Sequence, residues 1–313
     1  MIYFCYFLLG LLIIRLLVAS INYLSFAYLP NATSLTSTTK VSILIPARNE
    51  EENIGILLAQ LSTFENSIFE IIVYNDYSTD NTESIIKHWA TLKPIIKFIN
   101  GQQPPTGWLG KNNACHQLAK AATGDILLFL DADVYVKKDL IKRSISYLQE
   151  CDLHLLSIFP KQLAKSFGEK ISVPLMNWIL LSLLPIFLIR KSKNKAFSAA
   201  NGQFMMFKTT TYKTIWPHEK FKSHQVEDIA IMRLFKQKGL ASDIRLGDED
   251  ISCRMYGGLN DAIEGFTKNI FQFFGNSILT TIFFGILTTI APFVVYLYMS
   301  FWWLIVYLAG IVC

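Results

Sequence analysis

Charge is missing from both ends of this chain and crowded into its middle. Between Met1 and Leu29 the one charged side chain is Arg15, and none follows Lys268 up to Cys313. A helix crosses the hydrocarbon core of a bilayer with about 20 apolar residues. Residues 1–29 therefore read as a retained transmembrane anchor: the apolar run is too long for a cleaved leader and lacks a basic start. Residues 275–313 have room for one or two further spans, the number turning on Pro292 and the polar break near Ser300. Positive-inside reasoning keeps the Lys/Arg-rich middle in the cytoplasm, which makes the sequon at Asn31 a chance match. The expected placement is the cell membrane, multi-pass, with a cytoplasmic catalytic domain over 40–270.

The middle reads as a soluble α/β domain. "VSILIP" (41–46), "FEIIVYND", "PIIKFIN" and "ILLFL" (126–130) are apolar runs of strand length. Between them lie helical patterns. Ile54, Leu57, Leu58 and Leu61 repeat at helical spacing behind Asn49, the expected N-cap; a second helix starts at Ser78–Asn81, and a third runs from about Lys111 to Ala122. Strand alternating with helix, with near-continuous apolar strands, predicts a Rossmann-like, mostly parallel sheet covered on both faces. Five scattered cysteines without a CxxC pair suggest neither zinc nor a disulfide framework. A net charge of +5, without a continuous basic stripe, does not suggest nucleic-acid binding; the clusters Lys161–Lys170 and Arg190–Lys195 read as membrane-surface contacts.

Ligands of open α/β sheets sit at the carboxyl ends of the strands. Here those ends are acidic: Ala47 to Glu50 after the first strand, Asp76 after the second, and Asp131 with Asp133 after the fourth. Two carboxylates side by side repel each other and invite a cation. Mg²⁺ and Mn²⁺ favour such oxygens, usually one or two of them completed by substrate phosphates. No GxxxxGK[ST] motif supports an NTPase and no GxGxxG follows the first strand. What remains is a nucleotide diphosphate held through a metal. Lys111 sits at a helix start, unfavourable for a cation unless an anion binds there, so a diphosphate contact is expected. Arg254 is suited to clamp the leaving diphosphate. Trp108 stacks on a sugar, lines the acceptor site or packs internally. Asp80 reads as a turn or cap residue, and the remaining histidines show no ligand spacing.

In order, "VSILIPARNEE", "IIVYNDYSTDNT", "GDILLFLDADV" and "VEDIAIMRLFKQKG" resemble the family 2 glycosyltransferases of GT-A fold. The resemblance spans about 40–270. It implies Ala47 and Glu50 beside the nucleoside, Asp76 at the base or ribose, Asp131 and Asp133 on ribose, diphosphate and metal, and Asp228 as catalytic base with Glu227 beside it. "PPTGWLGKNNACHQLA" and "CRMYGGLNDAIEGFTKN" are similar to the membrane-anchored branch acting on lipids: hopanoid-associated, carotenoid-acid and ceramide-type enzymes. "SAANGQFMMFK" matches that branch's acceptor-side segment, which places Asn201 and Gly202, with Tyr256, on the acceptor side. Two departures stand out. A basic residue followed by tryptophan is replaced here by Arg254 and Tyr256, which weighs against a processive polysaccharide synthase. Paired glycines before a histidine are replaced by Trp216 and Pro217 before His218.

Residues 171–189 are apolar and long enough to span, but one crossing there would put Asp131/Asp133 and Asp228 on opposite sides of the bilayer. An interfacial helix, interrupted by Pro174 and Pro185, is expected instead. The implied enzyme is an inverting, metal-dependent transferase that moves a sugar from a nucleotide sugar, UDP-linked, to a lipid acceptor. The rivals are a processive synthase, a non-catalytic membrane scaffold and a nucleotidyltransferase.

Overall fold

The computed structural model describes residues 2–25, 28–31, 39–64, 68–274, 277–299, 301–303 and 305. The described chain divides into two compact units, residues 27–163 with 188–255 and residues 1–26 with 164–187 and 256–313.

In the first unit the strands are β1 (Val41–Ala47), β2 (Glu70–Asn75), β3 (Ile96–Asn100), β4 (Ile126–Leu130), β5 (Val134–Val136), β6 (Leu155–Phe159), β7 (Lys161–Gln162), β8 (Phe204–Lys208), β9 (Ser242–Leu246) and β10 (Ile251–Cys253). Seven of them form one sheet in the order β3-β2-β1-β4-β8-β6-β9. The neighbours β3, β2, β1 and β4 are parallel, and β8 runs antiparallel to both β4 and β6. β2 and β4 are buried at every position, as expected of strands covered on both faces. The helix Ile54–Ser62 buries Ile54, Leu57, Leu58 and Leu61 against the sheet, the four positions expected from spacing.

The reversed strand matters for the site. Leu130 pairs with Phe204, so β8 begins where β4 ends. The residues just before β8, Asn201 to Gln203, thereby reach the same rim as Asp131. A small second sheet, β5-β10-β7, pairs Val134 with Cys253 and Cys253 with Gln162, which carries Cys253 to Asp133.

Asn49 is not a helix cap. It adopts a left-handed conformation (φ 56°), and the helix starts five residues later behind Asn53. Its side-chain oxygen accepts from Thr79 N at 2.9 Å and its own N–H donates to Ser78 Oγ at 3.0 Å. Asparagine tolerates this backbone region, and here it stitches the loop after β1 to the loop after β2. Asp80 closes a turn ahead of the helix whose N-cap is Asn81, its carboxylate accepting from Thr82 N at 3.0 Å and from Glu51 N at 3.2 Å.

The second unit is helical. Ile2–Leu24, 23 residues, is the one described helix long and apolar enough by itself to cross a membrane. Its Arg15 donates to Ser182 Oγ at 2.9 Å and lies over the Trp178 ring. The segment 171–189 is not a single helix. It is divided among Phe167–Ser172, Pro174–Leu183 and Phe187–Lys191. Leu184, extended at φ −119° and ψ 112°, precedes Pro185, as proline's ring disfavours helix in the residue before it. Asn22 satisfies the broken backbone: its amide donates to Leu181 O and Leu184 O and its oxygen accepts from Ile186 N. The expected C-terminal spans are likewise interrupted: Ile278–Thr289 and Ala291–Tyr298 are bent by 44°, with Pro292 in the first turn of the second helix. Residues 306–313 and Ser300 lie outside the described residues.

Candidate functional site

β1 and β2 deliver the first part of the rim. Ala47 O accepts from Asp76 N at 2.8 Å, so the two strand ends leave the sheet together. Asp76 is 3% exposed, with Arg48 at 3.8 Å from Oδ2 and with Oδ1 buried and unpartnered. Burial raises its pKa and Arg48 pulls it back. A Cβ on Gly110, the first residue of helix Gly110–Ala121, would stand 2.2 Å from Asp76 Oδ2. Only glycine allows the helix start and this carboxylate to meet. Beside Asp76, Tyr77 is exposed in a left-handed conformation (φ 58°), a strained geometry for an aromatic residue. Glu50 accepts from Asn53 Nδ2; burial, and then the charges of Asp133 and Asp131, raise its pKa.

β4 delivers the acidic pair, and the two aspartates differ. Asp131 Oδ2 accepts from Lys111 Nζ at 2.7 Å. Asp133 Oδ2 accepts from the Cys253 thiol at 3.1 Å, and Cys253 Sγ in turn accepts from Gln203 Nε2 at 2.7 Å. Asp133 Oδ1 is buried without a partner. Burial, and then the Asp131 charge, raise the Asp133 pKa. A buried, unpartnered carboxylate oxygen costs stability unless something fills its lone pairs. It therefore fits a cation. Among the described residues no group of three or more His, Cys, Asp or Glu is placed to hold a metal ion. Asp131 and Asp133 would supply at most two protein ligands to an ion there, and Asp131 is engaged by Lys111.

The third part comes from the helix Glu227–Gln237. Asp228 Oδ2 accepts from Gly202 N at 3.0 Å. The position of a Cβ on Gly202 would lie 3.5 Å from Lys111 Nζ, 3.6 Å from Glu227 Oε1 and 3.7 Å from Asp228 Oδ2. Lys111 thus joins the acids of β4 to the acids of this helix. Burial works against its charge, but Asp131 and Glu227 overcome it and raise its pKa. Burial lifts Glu227 to about 7 against the pull of Lys111, and raises Asp228 against the Ile229 and Gly202 amides. Asn201 serves this loop's own geometry, its Oδ1 accepting from Gln203 N at 2.8 Å.

The remaining expected residues fall as follows. Arg254 is exposed and directly follows Cys253. Tyr256 belongs to the helical unit, buried against Phe266 with ring centroids 5.0 Å apart. Trp108 packs on His116. His218 is buried, bonded through Nδ1 to Tyr212 OH, and burial pushes it down to about 3.

The Glycosyl transferase family 2 model matches residues 42–215, more than half of the chain. The chain belongs to this family. Among curated relatives, the 4,4'-diaponeurosporenoate glycosyltransferase of Staphylococcus haemolyticus is 29% identical over 237 residues, covering 75% of this chain and 62% of that protein. Its Staphylococcus aureus counterpart is 28% identical over 236 residues, 74% of this chain and 60% of that one. The chain spans about three-fifths of the length of these relatives. The solved mannosyltransferase PcManGT from Pyrobaculum calidifontis, in complex with GDP-Man and Mn²⁺, matches 96% of this chain and 85% of its own with a TM-score of 0.54 at 17% identity, a likeness of fold. In this family 2 chain, sequence reasoning missed Cys253, Gln203 and Gly110. Cys253 had a signal, since it directly precedes Arg254 in "CRMY".

Proposed function

We propose that this chain is a membrane-anchored, inverting glycosyltransferase that moves a sugar from a nucleotide diphosphate sugar, UDP-linked, to a lipid or lipid-like acceptor. Residues 1–29 and 275–313 anchor it in the cell membrane, 40–270 form the cytoplasmic catalytic domain, and 171–189 lie at the interface. One observation carries the reading: Lys111 sits between Asp131 and the Glu227–Asp228 pair, at the rim where Asp76 also emerges. The grouping of Asp131 with Asp228 also supports the absence of a single crossing between them.

In this reading Asp76 and Glu50 hold the nucleoside beside Ala47. Asp131 and Asp133 would hold the divalent cation, which supplies charge neutralisation at the diphosphate when bound. Lys111, now on Asp131, is within reach of a diphosphate oxygen, and Arg254 takes another. Asp228, held by the Gly202 amide, accepts the proton of an acceptor hydroxyl as that oxygen attacks the anomeric carbon in line. Glu227, charged only near and above pH 7, tunes that base. The staphylococcal relatives are named for a carotenoid acid acceptor. An acceptor carboxylate needs no base, and Asp228 then positions it.

A non-catalytic scaffold has no reason to keep two buried carboxylate oxygens, on Asp76 and Asp133, without partners. Mass spectrometry of lipids from cells expressing the chain, and from extracts given a panel of nucleotide sugars, tests the proposal. A new lipid heavier by one hexose-type unit supports it. A ladder of repeating units points instead to a polysaccharide synthase, and no new species under any donor contradicts the reading.

A further inference from the structure

The loop that leads into Glu227 and Asp228 is gripped by a buried side-chain amide. Asn112 is 1% exposed. Its Nδ2 lies 2.8 Å from Phe221 O, 3.2 Å from Lys222 O and 2.9 Å from His224 O. One residue before the helix, Leu109 N donates to the same Lys222 O at 2.8 Å. The loop's own Lys222, Ser223 and His224 are exposed, and Phe221 is half-buried, packed edge-to-face with His224 within the loop. Its start is fixed differently: the chain turns at Trp216, left-handed at φ 48°, and His218 is bonded to Tyr212 OH at 2.6 Å. Between that point and Glu227, the Asn112 side chain reaches three of the loop's carbonyls.

We propose that Asn112 is a positioning residue that sets the Glu227–Asp228 pair against the helix turn carrying Lys111. The proposal rests on the reading of that pair as the catalytic base. Three carbonyl dipoles converge on one point, and a neutral group presenting two N–H donors satisfies them. Asn112 neighbours Lys111 in the first helical turn, so the clamp fixes the separation between the cation beside Asp131 and the acids beside Gly202. Catalysis is sensitive to such spacing, since a displacement of about 1 Å can cost about 100-fold in rate.

The test uses the full chain in detergent, with Asn112→Asp, which removes the donors at constant size, and Asn112→Ser, which keeps one. Three quantities are read: titration with UDP and MnCl₂, turnover, and trypsin cleavage after Lys220 and Lys222. In Asn112→Asp, turnover is expected to fall about 30-fold or more and cleavage to quicken about tenfold, as an opened loop exposes its main chain. UDP affinity should fall far less than turnover, because the new carboxylate faces the Phe221, Lys222 and His224 carbonyls and leaves the donor-side carboxylates in place. Asn112→Ser should fall between Asn112→Asp and the unaltered chain in both turnover and cleavage. Unchanged cleavage, or a loss of UDP affinity as large as the loss of turnover, would overturn the proposal. If the unaltered chain binds no UDP, the functional reading fails on its own, and the trypsin comparison still decides whether Asn112 clamps the loop.

Discussion

Replacing Gly110 by alanine tests where the donor sits. The new Cβ would stand 2.2 Å from Asp76 Oδ2 and 3.1 Å from its Cγ. Carbon and oxygen need at least about 3.0 Å, so the carboxylate must retreat by roughly 1 Å. Asp76 is 3% exposed and tied at its backbone to Ala47, so little room lies behind it. Overpacking of this kind costs about 1–3 kcal/mol. The obstacle is a side-chain tip at the helix start, where alanine's better propensity returns up to about 1 kcal/mol. The net cost to folding is therefore at most about 2 kcal/mol, while the displaced Asp76 loses a contact to the donor worth about 1.5–3 kcal/mol, about 10- to 150-fold in affinity at 1.36 kcal/mol per decade. Isothermal titration with UDP and MnCl₂, alongside a melting curve, reads both. Gly55→Ala, in the first turn of the helix Ile54–Ser62, is the matched control, since its Cβ would meet nothing closer than 3.4 Å. UDP affinity within twofold of the parent in Gly110→Ala would refute the placement of Asp76 in the donor site.

Other outcomes follow from the same geometry. With a hydroxyl acceptor, kcat/KM should rise as pH climbs through about 7, where Glu227 ionises; a pH-independent rate between pH 6 and 8 would contradict a base role for the pair. Folding should respond in the opposite sense. A carboxyl raised from 4.5 to about 7 binds more protons native than unfolded, so the melting temperature falls as pH rises across that window, and Glu227→Gln should flatten the fall. Glu70 runs the other way: burial opposes its charge, but Lys97, Ser42 and Thr123 hold it at about 2, so its contribution is present above 4.5 and fades as pH falls toward 2. Melting curves of Glu70→Gln should lose that acid limb. Cys253→Ala, which leaves Asp133 Oδ2 without its donor, should weaken Mn²⁺-dependent UDP binding by about fivefold, while Cys253→Ser restores it; equal affinity in all three proteins would remove the thiol from the site.

Much of the sheet was legible because β1, β2 and β4 are nearly continuous apolar runs, and burial on both faces leaves that mark, while β3, at the sheet edge, still shows Ile96, Phe98 and Ile99. The direction of β8 was not. "FMMFK" reads as a strand either way, and its reversal follows from pairing with β4 and β6, which no local pattern encodes. The strands of the small sheet, two or three residues each, are too short to show periodicity. Asn49 misled because asparagine suits both an N-cap and a left-handed turn. The acids of the site were legible as a set, each following a strand or opening a helix. Their connections were not, because Lys111, Gly202 and Cys253 come from three segments that the topology alone brings together. Pro185 marked the break in 171–189, while the partner that satisfies it, Asn22, is 162 residues away from Leu184.

The most direct measurement is UDP release by the purified full chain, supplied with UDP-sugars, MnCl₂ and lipid extract, in parallel with Asp133→Ala and with EDTA. The proposed mechanism expects release that depends on the lipid and collapses in both controls. Undiminished release from Asp133→Ala or in EDTA would contradict the assignment of Asp131 and Asp133 as the metal-bearing pair, and release indifferent to lipid would contradict a lipid acceptor.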